Sequence, residues 1–244
     1  MRERWRSGVA LLACVLVLGG LIVAGPGDEF GALRRVLGFG ADRLKDPADI
    51  EPGGTYAFLQ HQPGDADDPV TWEPCSEIHY EINPTGAPSD NDEAIDAVQD
   101  AVAEVSSITG LVFAYEGTTD RRPQWKRQLV PVGGRDPVLI SWAEEDEVEQ
   151  LEGNVAGIGG AVAQGVDGGW RRYVTGGVTL DGEDLADADD GARRAILLHE
   201  LGHLVGLDHV DSTRELMFAD NLGRLDFAQG DLNGLVRLGQ GRCR

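Results

Sequence analysis

Apolar and polar positions change their spacing several times along the chain, and each change marks an element. Ser7 to Gly27 carries no charge, and its centre, Val9 to Ala24, is dominated by Val, Leu, Ala and Ile. Behind a basic start, such a run has the make-up of a cleaved export signal or a retained membrane anchor. Glu77 to Asn83 then alternates with a period of two and stops at Pro84, which predicts a strand. After Ser89-Asp90, apolar residues recur at Ala94, Ile95, Val98, Val102 and Val105, the spacing of one helix face, and Gly110 ends the pattern. Leu111 to Tyr115, Val138 to Trp142 and Tyr173 to Leu180 are further β-rich runs. Val155 to Gly165 is apolar and full of glycine, readable as an edge strand or as a flexible loop. A second helix is expected from about Gly191, with Asp190 as its N-cap. Strand, helix, strand, strand in this order predicts an α/β unit with a mostly parallel sheet.

This divides the chain into an export or anchor segment at 1–27, a linker or short pro-segment at 28–54 that is rich in Pro and Gly, and one folded unit at 55–244. The chain has 244 residues, 41% of them hydrophobic, which is enough to bury a core and argues against a disordered acidic chain. The formal charge of −21 is unevenly spread: Arg2, Arg4 and Arg6 against Glu3 give residues 1–25 a net +2, leaving −23 on the remainder. A surface this acidic repels a polyanion, so nucleic acid is excluded as a partner. The membrane is expected to be met only through the N-terminal segment, which makes the product secreted or anchored at the cell surface, and a monomer is expected. Setting Cys14 aside within the apolar run, Cys75 and Cys243 could form one disulfide in an oxidising compartment or stand as two free thiols.

The second helix contains His199-Glu200-Leu201-Gly202-His203, followed by Gly206 and His209. Residues four apart share a helix face, so His199 and His203 can present both imidazoles to one ion. Glu200 projects beside them, suited to act on water rather than to ligate. Gly206 can take the turn that ends the helix and bring His209 back as a third ligand. Three imidazoles with one position open are the donor set of a catalytic zinc site. Three of the five histidines in the chain lie in this motif, whereas His61 and His79 read as ordinary strand or loop residues.

The pattern HExxHxxGxxH resembles the signature of the metzincin zinc peptidases. Met217, eight residues after His209 in Glu215-Leu216-Met217-Phe218, matches the methionine turn of that clan. Within it, residues 72 to 240 resemble the matrixin group. The resemblance implies a twisted five-stranded mixed sheet with an antiparallel edge strand at Val155 to Val162, two long helices, and a C-terminal helix at Asp226 to Leu238. It also implies that the edge strand, through Gly157, Ile158, Gly159 and Gly160, pairs with the backbone of a protein or peptide substrate. Structural Ca²⁺ is implied near the acidic stretches at 144–152 and 181–190, without assigned ligands. Three departures stand out. Val210 replaces the usual Ser after the third His, Ala219 stands two residues after Met217 where some clan members have Tyr, and no cysteine-switch propeptide is present.

The expected activity is therefore that of an exported zinc endopeptidase, with water activated at the metal and Glu200 as general base. A zinc aminopeptidase, or a non-catalytic surface module with a bound metal, are the alternatives. Cleavage of N-blocked peptides, and of any peptide at all, separates the three.

Overall fold

The elements follow in the order β1 (Ala57–Phe58), β2 (His61–Gln62), β3 (Asp65–Pro69), β4 (Ile78–Asn83), α1 (Asn91–Thr109), β5 (Phe113–Thr118) and β6 (Val138–Ala143). A short 3₁₀ turn at Glu149–Leu151 leads to β7 (Gly157–Gly165), β8 (Arg171–Asp181), α2 (Asp190–Val205), β9 (Leu207–Asp208) and α3 (Gln229–Gly239). The computed structural model describes residues 42–125, 136–165, 169–220 and 223–243. The segment read as export signal or anchor, residues 1–27, lies outside the described residues, as do Cys14 and the first part of the 28–54 stretch. Among the described residues no helix is long and apolar enough to cross a membrane. Residues Leu44–Arg242 form one compact unit, and the described Asp42, Arg43 and Cys243 lie outside it. Cys75 and Cys243 are both disulfide-bonded.

The main sheet has five strands in the order β5-β4-β6-β8-β7. The first four run parallel, and β7 returns antiparallel to β8 along nine paired positions from Gly157↔Leu180 to Gly165↔Arg171. The fold is thus the expected α/β class with a five-stranded mixed sheet and one antiparallel edge. Central β6, Val138 to Ala143, is buried at every position, as a strand covered on both faces must be. Ile82, Ile140, Val178 and Leu180 of the sheet share one core with Val98, Val102 and Val105 of α1 and Leu198 and Leu201 of α2.

Several boundaries differ from the sequence expectation for local chemical reasons. Strand β5 begins at Phe113 rather than Leu111, because Gly110 is left-handed (φ 71°) and the Leu111 N–H donates back to Thr109 Oγ1 at 3.1 Å, so the chain is still turning there. Helix α2 is capped by Asp189, not Asp190: the Asp189 carboxylate accepts from the Ala192 N–H at 2.8 Å. The last helix starts at Gln229 rather than Asp226. Asp226 is engaged by Arg194 at 2.7 Å, while the Ala228 N–H donates to Asp231 Oδ2 at 2.8 Å, which sets the first turn three residues later. Residues ahead of Thr55 also belong to the folded unit, with the Ala48 N–H donating to Ile108 O at 2.9 Å and Glu51 O accepting from Asn233 Nδ2 at 3.1 Å.

Candidate metal centre

Helix α2 forms because Asp189 caps its N-terminus and a stripe of Ala195, Leu198, Leu201 and Leu204 is buried against the sheet. His199 and His203 stand one turn apart on its face. Gly206, at φ 123°, then reverses the chain into β9 and carries His209 back over them. The three Nε2 atoms meet in a triangle with edges of 3.0, 3.1 and 3.1 Å.

The outer nitrogens explain why this triangle suits a cation better than a hydrogen-bonded cluster. His199 Nδ1 donates to Leu216 O at 2.8 Å and His203 Nδ1 donates to Leu207 O at 2.8 Å. With the protons outside, at least two unprotonated nitrogens face each other at 3.1 Å, an arrangement that a shared cation turns from repulsive to favourable. The triangle is small enough for one ion to reach all three at the roughly 2.0–2.1 Å of a zinc–imidazole bond. Burial also favours the neutral form of the two helix rings: it lowers the pKa of His199, and it lowers that of His203 to about 4, with the neighbouring His199 adding to the effect. The three histidines can therefore hold a metal ion, and their donor set fits zinc.

Glu200 lies in the same cleft, about 480 Å³ in volume, together with the three histidines and Gly157, Ile158 and Gly159 of β7. It is 6% exposed, and burial pushes its carboxyl up to about 8. The edge strand comes this close because it lacks side chains at alternate positions. A Cβ on Gly159 would stand 2.1 Å from the Glu200 carbonyl oxygen, and one on Gly157 would stand 2.9 Å from Glu200 Cγ. Gly160 faces the other way, toward Trp125, and borders a different cavity, so of the four edge-strand residues expected at the site three line it.

Met217 is 1% exposed and packs on α2 at Gly202, where an added Cβ would meet its Sδ at 2.7 Å. The turn around it is built by buried groups that sequence reasoning missed. The Asp231 carboxylate, 1% exposed, accepts from Leu216 N–H at 2.6 Å and Met217 N–H at 3.3 Å as well as from Ala228. Glu215 accepts from the N–H groups of Thr55 at 3.3 Å and Gly230 at 2.9 Å. Burial, outweighing these donors, holds Asp231 above the usual carboxylate range. Only the position of Asp231 near the start of the last helix hinted at this, since an acid there reads first as a helix-end charge.

The remaining expectations fall elsewhere. His79 pairs with Glu116 at 2.8 Å on the exposed side of β4, and His61 sits against Phe58 with ring centroids 6.1 Å apart. In the acidic stretch at 181–190, Asp181 Oδ1 accepts from the N–H groups of Glu183 and Asp184, each at 2.9 Å, shaping its own turn. No family model matches this chain, and no curated protein matches it.

Proposed function

We propose that this protein is a zinc-dependent endopeptidase of metzincin type, matrixin-like in layout. One observation carries the reading: three inward-facing Nε2 atoms 3.0–3.1 Å apart share a cleft with a buried carboxylate and the edge strand of the described sheet. The five-stranded mixed sheet with its antiparallel edge is compatible with that clan.

A zinc ion held by His199, His203 and His209 would supply a Lewis acid for the scissile carbonyl and the attacking water. The chain's own groups supply the rest. Glu200 takes the proton from the water as it adds to the carbonyl carbon, then passes that proton to the departing amine as the C–N bond breaks. A carboxylate whose basicity burial has raised is better matched to that task near neutral pH than a solvated one. Among the described residues no strand pairs with the outer edge of β7, and its backbone can bond an extended peptide laid across the cleft. The outward Nδ1 bonds to Leu216 O and Leu207 O keep two imidazoles in the tautomer that ligates.

The test uses the zinc-loaded full chain and an unfolded, N-acetylated protein substrate. Internal cleavage that a chelator stops and zinc restores is expected. Glu200→Gln should keep one zinc per chain and lose cleavage by about 10³-fold or more. Full activity in that variant refutes Glu200 as the base. A wild type that binds zinc and cuts nothing refutes the enzyme.

A further inference from the structure

The segment that leads into the main sheet is also a wall of the cleft. β1 pairs antiparallel with β9, Ala57 against Asp208 and Phe58 against Leu207. The Leu59 N–H donates to Gly206 O at 3.0 Å, and the Thr55 N–H is held by Glu215 at 3.3 Å. Tyr56 packs on Gly234, where an added Cβ would lie 2.9 Å from Tyr56 Cβ. The strap is thus tied at successive residues to the turn that ends α2, to the carbonyl-bearing Leu207 that orients His203, and to the residue next to His209. Backbone bonds set its path, so Leu59 is placed without being buried: it is 39% exposed, and it lines the same cleft as the three histidines.

A single exposed leucine needs no explanation. Here, however, five large apolar side chains are exposed among the described residues, and two of them, Leu59 and Val155, line this one cleft. Leu59 is held by a strap whose ordering has already been accomplished, so covering it with a ligand side chain removes apolar surface from water with little further entropy loss.

We infer that Leu59 is a substrate-contacting residue that selects an apolar side chain at one fixed position of a peptide lying along β7. This rests on the peptidase reading. Zinc-loaded wild type, Leu59→Ala and Leu59→Asp are compared on a library of N-acetylated peptides by mapping every cut. The wild type is expected to favour an apolar residue at one position relative to the cut. Both variants should lose that preference by about tenfold or more, with Leu59→Asp turning it toward Lys and Arg. Preferences at the other positions and zinc per chain should stay as in the wild type. Melting temperatures should stay within about 2 °C, because the side chain is exposed. Leu59→Ala keeps the comparison open should the charged variant fold poorly. The same preference profile in all three proteins overturns the inference and leaves the peptidase reading standing. A wild type that cuts no peptide removes the reading, and the inference with it.

Discussion

Alanine at two adjacent glycines of β7 should have opposite outcomes. Neither Gly159 nor Gly160 has a positive φ, so the backbone admits alanine at both, and only the surroundings differ. At 159 the new methyl would sit 2.1 Å from the Glu200 carbonyl oxygen and 2.8 and 2.9 Å from its C and Cα atoms. Carbon–oxygen contacts settle near 3.3 Å, so β7 and α2 must separate by about 1 Å. The colliding atoms are helix backbone and cannot swing aside as a side chain would. Overpacking of this kind costs about 1–3 kcal/mol, of which alanine recovers about 0.5–1 kcal/mol by restricting the unfolded chain. The net loss, about 1 kcal/mol and at most about 2.5 kcal/mol, lowers the melting temperature of a unit this size by about 2–4 °C for each kcal/mol. At 160 the nearest atom is Trp125 Cζ3 at 3.8 Å, an ordinary contact, so the variant should be neutral or up to about 1 kcal/mol more stable. Urea unfolding of both variants measures the difference directly. Because Glu200 lies against this strand, Gly159→Ala should also lower kcat/KM by at least about tenfold, a displacement of 1 Å being worth up to about 10²-fold. Equal stability in the two variants would refute the placement of β7 against α2.

Two further outcomes follow from buried carboxylates. Asp231→Asn exchanges a carboxylate that serves three N–H groups for an amide with one acceptor and two donors. It should cost about 2–4 kcal/mol, and zinc affinity measured by chelator competition should fall about 10–100-fold, because Leu216 O orients His199; unchanged affinity would dissociate that network from the metal centre. In the metal-free protein, Glu200 has a folded pKa raised to about 8 from an ordinary 4.5, so the stability it contributes is full below pH 4.5 and is lost as pH rises through 8, by up to about 5 kcal/mol. His199 and His203 have lowered folded pKa values, the latter about 4, so their contribution is present above pH 6.5 and is lost as pH falls. Unfolding of the metal-free protein from pH 4 to 9 should show both limbs in the wild type and only the acid limb in Glu200→Gln, which should be the more stable protein at pH 9; a wild type and variant with parallel profiles would refute the desolvation of Glu200.

Much of the centre was legible in the sequence because its geometry is local. His199 and His203 are related by one turn of one helix, and Gly206 supplies the conformation that returns His209 within three residues. Periodicity likewise placed β4 and α1 nearly to the residue, since Asp90 and Gly110 cap α1 through bonds to groups three or four residues away. A boundary that depends on a distant partner has no such local mark: Asp226 has the pattern of a helix start but is taken by Arg194, 32 positions away.

The ambiguity of Val155 to Gly165 shows the same division. Glycine allows both a close approach and a loose loop, and no local pattern separates them. Pairing with β8 and contact with Glu200 settle it, position by position, in favour of close approach at Gly157 and Gly159 and against it at Gly160. The class of fold, the three candidate ligands and the neighbouring carboxylate were determined by the sequence alone, because residue spacing within a helix is a physical ruler. Only the tertiary structure decided that Asp231 and Glu215 brace the turn under the histidines and that Leu59 walls the cleft. Those contacts join elements far apart in the chain, and burial and backbone pairing are created only when the chain closes on itself.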